Sequence, residues 1–309
     1  MFSSSMSTRR VIVPAVWTAL ALLSLPGRLA ADLFGMRSQE LRDGFAGAIA
    51  GTPNTGDHLG HRLASGDFDG DGRDDLAISD REAPSSNGLG AVHILYSDPA
   101  GAIADQILFD FDPTTGLPDR KSGDDFGSAL AAGNFNGDPW DDLAIGIEGE
   151  NVGAVADAGM VLVIYGSPTG LGGAGAPAAK RWRLGADGIV STPVESDGLG
   201  GSLAAGDFDN DGRDDLAVGM PAASVAGQIG AGKLLVMYGS DSGLEAPDNR
   251  ILSQNSQDAD GTMQGDAEVG DAFAFALAVG DFNADAHDDL AIGSPGDPVG
   301  AFDGAGAVQ

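Results

Sequence analysis

Four short segments place oxygen-bearing side chains at every second position. In the first, Asp67, Asp69, Asp71 and Asp75 are the donors. The third repeats them as Asp207, Asp209, Asp211 and Asp215. The fourth reads Asp281, Asn283, Asp285 and Asp289, and the second Asn134, Asn136, Asp138 and Asp142. Between the third and last donor of each stands Arg73, Trp140, Arg213 or His287, whose backbone carbonyl is expected to add one more oxygen. Ca²⁺ takes about six to eight oxygens from carboxylates, carbonyls and water, so each loop reads as a Ca²⁺ site, up to four ions in all. Gly70 and Gly72 permit the tight backbone path this needs. Asp74 points the other way on this reading and is expected to face solvent.

Ligand charge ranks the sites, because it tunes Ca²⁺ affinity. Loops one and three carry four carboxylates, loop four three, and loop two only two. The loop at residues 134–142 is therefore expected to be weakest, and Pro139 stiffens it further. An EF-hand is excluded, since that loop ends in glutamate at its twelfth position, where this chain has Ile78. Soft-metal centres want cysteine and histidine, and the chain has no cysteine and four histidines. An acidic turn that only solvates a hairpin is the plain alternative; four copies at one point of one repeating unit favour the cation.

The glycines that open the four segments are Gly66, Gly133, Gly206 and Gly280, spacings of 67, 73 and 74 residues. Such self-similarity means one structural unit used repeatedly, each copy burying apolar faces on the next. Before each loop runs a small-residue strand, as at 126–135. After it comes a DLAI-like strand, then a third at 91–97, 160–166 and 233–239. A less regular fourth is expected at 106–111, 180–184 and 249–253. Short apolar runs divided by Gly, Pro and Asp predict an all-β protein, and radial repetition of four-stranded units predicts a β-propeller. Residues 304–309 match the start of a third strand, so an incomplete arc of a larger ring is expected.

The units resemble FG-GAP repeats, as found in the N-terminal propeller of integrin alpha subunits and in bacterial secreted proteins. The first half of that name stands at Phe126-Gly127, and is altered at Leu59-Gly60, Leu199-Gly200 and Phe273-Ala274. The second half reads Gly219-Met220-Pro221 and Gly293-Ser294-Pro295, degraded at Gly146-Ile147-Glu148 and at Ser79-Asp80-Arg81. The calcium loop DxDxDGxxD lies between the halves. The resemblance implies a seven-bladed ring with Ca²⁺ on one face and a ligand surface on the other.

Net charge is −30, and the four segments hold 17 of the 46 acidic residues. That argues against a nucleic-acid partner, which wants basic patches. Arg9 and Arg10 precede an apolar run at 11–25, with Ala30 and Ala31 after it, the form of a secretory signal peptide over residues 1–31. Residues 32–309 are then the exported propeller, secreted or at the cell surface, with no further membrane span expected. The absence of cysteine suits an exported protein held by metal in place of disulfides.

No nucleophile elbow, phosphate loop or HExxH motif is present. His58 and His61 lack a third ligand, and His93 reads as a strand residue. The expectation is a secreted, non-catalytic binding or adhesion module, with its contact surface for a protein or glycan in the inserts at 82–90, 147–159 and 221–232. The alternative is the accessory propeller of an extracellular hydrolase whose catalytic part lies outside this chain. Trp140 and Trp182 read as blade packing more readily than as sugar platforms.

Overall fold

The computed structural model describes residues 58–80, 90–97, 103–109, 123–258, 261–262, 265–298, 302 and 304–309. The proposed signal peptide, its cleavage position and most of the 82–90 insert lie outside the described residues. Among the described residues every regular element is a strand.

Among the described residues the strands form five antiparallel sheets, four of them blades in chain order with neighbouring strands hydrogen-bonded in sequence. Blade one comprises β1 (Leu59–Gly66), β2 (Asp75–Asp80), β3 (Ala91–Ser97) and β4 (Ile103–Phe109). Blade two comprises β5 (Phe126–Gly133), β6 (Asp142–Ile147), β7 (Met160–Ile164) and β8 (Lys180–Trp182). Blade three comprises β9 (Ser202–Gly206), β10 (Asp215–Met220), β11 (Lys233–Tyr238) and β12 (Glu245–Leu252). A two-strand hairpin, β13 (Gln257–Asp258) and β14 (Gly261–Thr262), was not anticipated and precedes blade four. Blade four comprises β15 (Ala276–Gly280), β16 (Asp289–Ser294) and β17 (Ala307–Val308). The first strands lie side by side, β1 by β5, β5 by β9 and β9 by β15. This is a partial β-propeller, an arc of four blades.

A blade sandwiched by neighbours must be apolar on both faces, and β6 and β7 are buried at every residue. Their side chains alternate between two cores. Leu143, Ile145 and Leu162 join Val92, Ile94 and Leu108 of blade one. Ala144, Val161 and Val163 join Leu216, Val218 and Leu235 of blade three. Apolar burial, at roughly 25 cal/mol per Å², makes these two cores a principal source of cohesion between the blades. The repeat signature has a steric reason at this seam. A Cβ on Gly146 would lie 2.1 Å from the carbonyl oxygen of Gly200, so the glycine ending one blade's second strand admits the backbone that opens the next.

Antiparallel order puts all four Asp-rich loops at one end of the arc. The inserts at 147–159 and 221–232, between second and third strands, occupy the other end. There Leu199 N–H donates to the Ala158 carbonyl (3.0 Å), and Phe273 N–H to the Ala231 carbonyl (3.0 Å). The seams of blade two with three and of blade three with four are therefore stitched at this end, beside their apolar cores.

Candidate metal centre

Each loop is a run of side chains folded onto their own backbone. Asp67 Oδ1 accepts from the N–H groups of Gly70 (2.8 Å) and Asp71 (3.0 Å), and Oδ2 from Gly72 (2.8 Å). Asp207 accepts from Asp211 and Gly212 in the same way, and Asp281 from Asp285 and Ala286. The third donor, at the fifth position, then caps the seventh residue: Asp71, Asp138, Asp211 and Asp285 accept from Arg73, Trp140, Arg213 and His287 at 2.9–3.0 Å. This path demands left-handed backbone at two positions. Gly70 and Gly72 stand at φ +75° and +84°, Asn210 and Gly212 at +58° and +89°, Ala284 and Ala286 at +63° and +72°. In loop two Gly137 stands at +71°, but Pro139, with its ring-fixed negative φ, holds the second position.

The last donor of each loop anchors it to the sheet. Asp75 accepts from Phe68 N–H (3.1 Å) and Ser97 N–H (2.8 Å), tying the loop start to the end of β3. Asp142 does so with Phe135 and Gly166, and Asp215 with Phe208 and Gly239. Burial pushes Asp75 and Asp215 up to about 6 and Asp142 up to about 8. Asp69 is raised by burial and by the charges of Asp71 and Asp67, against the N–H bond from Asp71. Clustered carboxylates in this state take a proton or a cation more readily than exposed ones do.

Carboxylate oxygens of Asp67, Asp69 and Asp71 lie within 4.8 Å of one another, as do those of Asp207, Asp209 and Asp215. Such spacing around hard oxygen donors fits Ca²⁺. Loop two is arranged differently. Asn134 Nδ2 donates to the Asp138 carbonyl (2.5 Å) and Asn136 Nδ2 to Asp138 Oδ2 (2.7 Å). Amide donors there occupy oxygens that the carboxylate loops leave for a cation. Loop four is intermediate, with Asn283 Nδ2 donating to Asp285 (3.0 Å) and Asp289 (3.2 Å).

The seventh and eighth residues do more than the sequence suggested. Asp74 is exposed, as expected. Its counterparts are not free. Asp141 Oδ2 accepts from Asp67 N–H (2.9 Å), Asp214 Oδ2 from Asn134 N–H (2.7 Å) and Asp288 Oδ2 from Asp207 N–H (3.1 Å). The backbone doubles each clasp, through Asp141 N–H to the Asp67 carbonyl (3.0 Å) and its two equivalents. The first aspartate of each pair thus secures the preceding blade's loop. Only the fixed offset between repeats signals this, because the partner lies 74 to 81 residues away. Trp140 lies over Gly70, where a Cβ would sit 2.5 Å from its indole nitrogen, and Arg213 lies over Gly137. Arg73 pairs with Asp71, and Arg213 with Asp211 and Asp241, so both guanidiniums screen the outer side of their loops.

Other candidates have structural places. Trp182 is buried between blades two and three, with Lys180 Nζ 5.9 Å from its ring centroid. His93 is buried in β3, and His61 lies in β1, its N–H donating to the His58 carbonyl.

The FG-GAP repeat profile matches residues 59–95, 126–164, 199–237 and 273–309. Each match covers the first three strands of one blade. This chain is an FG-GAP repeat protein. It is similar to integrin alpha-PS2 of Drosophila melanogaster, 29% identical over 257 residues, covering 81% of this chain and 16% of that protein. Integrin alpha pat-2 of Caenorhabditis briggsae is 30% identical over 253 residues, 77% of this chain and 18% of that protein. Phosphatidylinositol-glycan-specific phospholipase D of Bos taurus is 39% identical over 97 residues, 31% of this chain and 11% of that protein. The FG-GAP chain thus spans less than a fifth of these relatives. No helix among its described residues is long and apolar enough to cross a membrane.

Proposed function

We propose that the chain is an exported, Ca²⁺-stabilised binding module without catalysis of its own. The observation that carries this reading is the convergence of three carboxylates in loop one and three in loop three, on a scaffold that repeats the loop four times. Asp67, Asp69, Asp71 and Asp75 would hold one ion with the Arg73 carbonyl; Asp207, Asp209, Asp211 and Asp215 another with that of Arg213. Asp281, Asn283, Asp285 and Asp289 would hold a third with the His287 carbonyl. Asn134, Asn136, Asp138 and Asp142, with the Trp140 carbonyl, would hold the weakest. The ions would lock loops that also brace the neighbouring blade, leaving the opposite end, with the inserts at 147–159 and 221–232, to meet a protein or glycan.

Thermal unfolding with Ca²⁺ and with chelator tests the cation. Ligand that binds only the native state raises the midpoint by mass action, about 2.7 kcal/mol at a hundredfold excess over Kd. The rise should be lost in an Asp71→Ala, Asp211→Ala double variant; a folded wild type that ignores Ca²⁺ would sink the metal sites.

The similarity to a phospholipase D supports a second reading, an accessory propeller of a hydrolase. Incubating the purified chain with vesicles bearing phosphatidylinositol-glycan separates the readings. Retention without cleavage supports the accessory role, cleavage overturns the non-catalytic one, and neither leaves the binding module.

A further inference from the structure

The seam of blade two with three and the seam of blade three with four share one plan, but at the end away from the loops their chemistry differs. In the first, Asp197 stands two residues before Leu199 and is 1% exposed. Its Oδ2 accepts from Val194 N–H (2.7 Å), and its Oδ1 meets the Lys233 ammonium (3.2 Å). Lys233 pairs in register with Met220. Met220, Ala223 and Leu184 are buried members of the apolar core that fills this seam.

Each of these places recurs in the second seam. Asp271 stands two residues before Phe273, is 1% exposed, and accepts through Oδ2 from Glu268 N–H (2.6 Å), as Asp197 does from Val194. Ser294 takes the place of Met220, and Ala307, its partner in register, that of Lys233. Asp297, three residues after Ser294, takes the place of Ala223. Gln254, two residues past Leu252, holds the place of Leu184, two past Trp182. An apolar cluster has thus become an amide, a hydroxyl and a carboxylate, and the ammonium beside the aspartate has become a methyl. Gln254 and Ser294 are 1% and 0% exposed. Gln254 Nε2 donates to Asp297 Oδ2, so those two places adjoin. Asp271 Oδ1, Gln254 Oε1 and Ser294 Oγ are buried with no hydrogen-bond partner among the described residues.

Buried polar groups are ordinarily hydrogen-bonded, and a buried carboxylate is ordinarily paired or bound to a metal. Here three unsatisfied oxygens fall on residues that stand in for an apolar cluster and beside the place of its cation. We propose that this seam binds Ca²⁺ through Asp271, Asp297, Gln254 Oε1 and Ser294 Oγ, at the place where the Lys233 ammonium stands in the preceding seam. The donors are hard oxygens without nitrogen or sulfur, the set that Ca²⁺ prefers. Two carboxylates balance a divalent ion, as Asp197 balances one ammonium. The ion would fasten blade three to blade four, at the opposite end from the Asp-rich loops, and its binding does not depend on theirs.

Equilibrium dialysis of the full chain against saturating calcium tests the site by counting ions. The Ala307→Lys variant supplies the ammonium of the preceding seam and should bind one ion fewer than the wild type. The Gln254→Leu, Asp297→Ala variant carries that seam's apolar residues and should also lose one ion. The loop variant Asp71→Ala, Asp211→Ala should keep this ion, and adding Ala307→Lys to it should remove one more, so failure of the loop sites is told apart from failure of this one. Circular dichroism shows which variants fold; if Ala307→Lys does not, the Gln254→Leu, Asp297→Ala chain decides. Folded variants that bind as many ions as the wild type overturn the proposal, and so does a wild type that binds none.

Discussion

Three buried aspartates set how this molecule should respond to pH. Asp75 and Asp215 are pushed up to about 6 and Asp142 up to about 8, from an ordinary value of 3.8, chiefly by burial. A carboxyl that holds its proton more tightly folded than unfolded stabilises the fold at low pH. Its contribution is complete below the unfolded value and disappears as pH rises through the folded one. The cation-free protein should therefore melt higher near pH 5 than near pH 8. Calcium competes with those protons, so its effect on the midpoint should grow over the same window. Melting curves at the two pH values, with calcium and after its removal, check both signs; equal calcium shifts would refute the linkage. Loop four offers a second prediction at this scale. Ala284 and Ala286 both hold left-handed backbone, which costs an L-residue roughly 1–2 kcal/mol, whereas Gly70 and Gly72 hold it in loop one without that cost. The Ala284→Gly, Ala286→Gly variant should be more stable by about 1 kcal/mol, since freer glycine in the unfolded chain offsets part of the gain. Chemical denaturation with unchanged slope measures it, and a destabilised variant would contradict the assignment.

Between elements, the Asp-Asp pair joins what the sequence separates. Asp141 clasps Asp67, and Trp140 covers Gly70, so a cation loop is completed by the blade that follows it. The Asp141→Ala change leaves Asp67 N–H without its side-chain acceptor, a loss of roughly 1–3 kcal/mol for a desolvated group. The Asp74→Ala change, at the same place of the repeat but exposed, should stay within about 0.5 kcal/mol in dilute solution. Calcium titration of the Asp141→Ala variant should also show weaker binding at loop one. Equal effects of the two substitutions would show that the seam contributes nothing. The loops themselves were legible from alternation of donors, because each folds onto its own backbone within nine residues. The clasp was not legible, because residue 74 is the one member of its class that faces solvent. Strand positions followed from apolar runs, yet β4 starts at Ile103 and β12 at Glu245, ahead of the expected 106 and 249. Outer strands carry weaker patterns, since their hydrogen bonds to the third strand, not an apolar core, decide their extent.

For the whole molecule, repetition made the fold readable and its asymmetry unreadable. Identical phrases recur in every unit, but burial depends on what stands on either side. β5 and β6 of blade two are almost wholly buried, while β15 and β16 of blade four, with nearly the same residues, are mostly half-exposed. In such an array each unit draws stability from its neighbours, so local opening should follow position more than sequence. Amide exchange should therefore be slowest in β6 and β7, intermediate in β10 and β11, and fastest in β15 and β16. The DLAI phrase supplies an internal comparison, because Leu143, Leu216 and Leu290 sit at the same register in the three blades. Leu143 and Leu216 are fully buried and Leu290 is half-buried, so protection at the three amides should fall in the order of the blades' enclosure. Equal protection would mean that the arc opens as one cooperative unit, its seams as strong as its sheets.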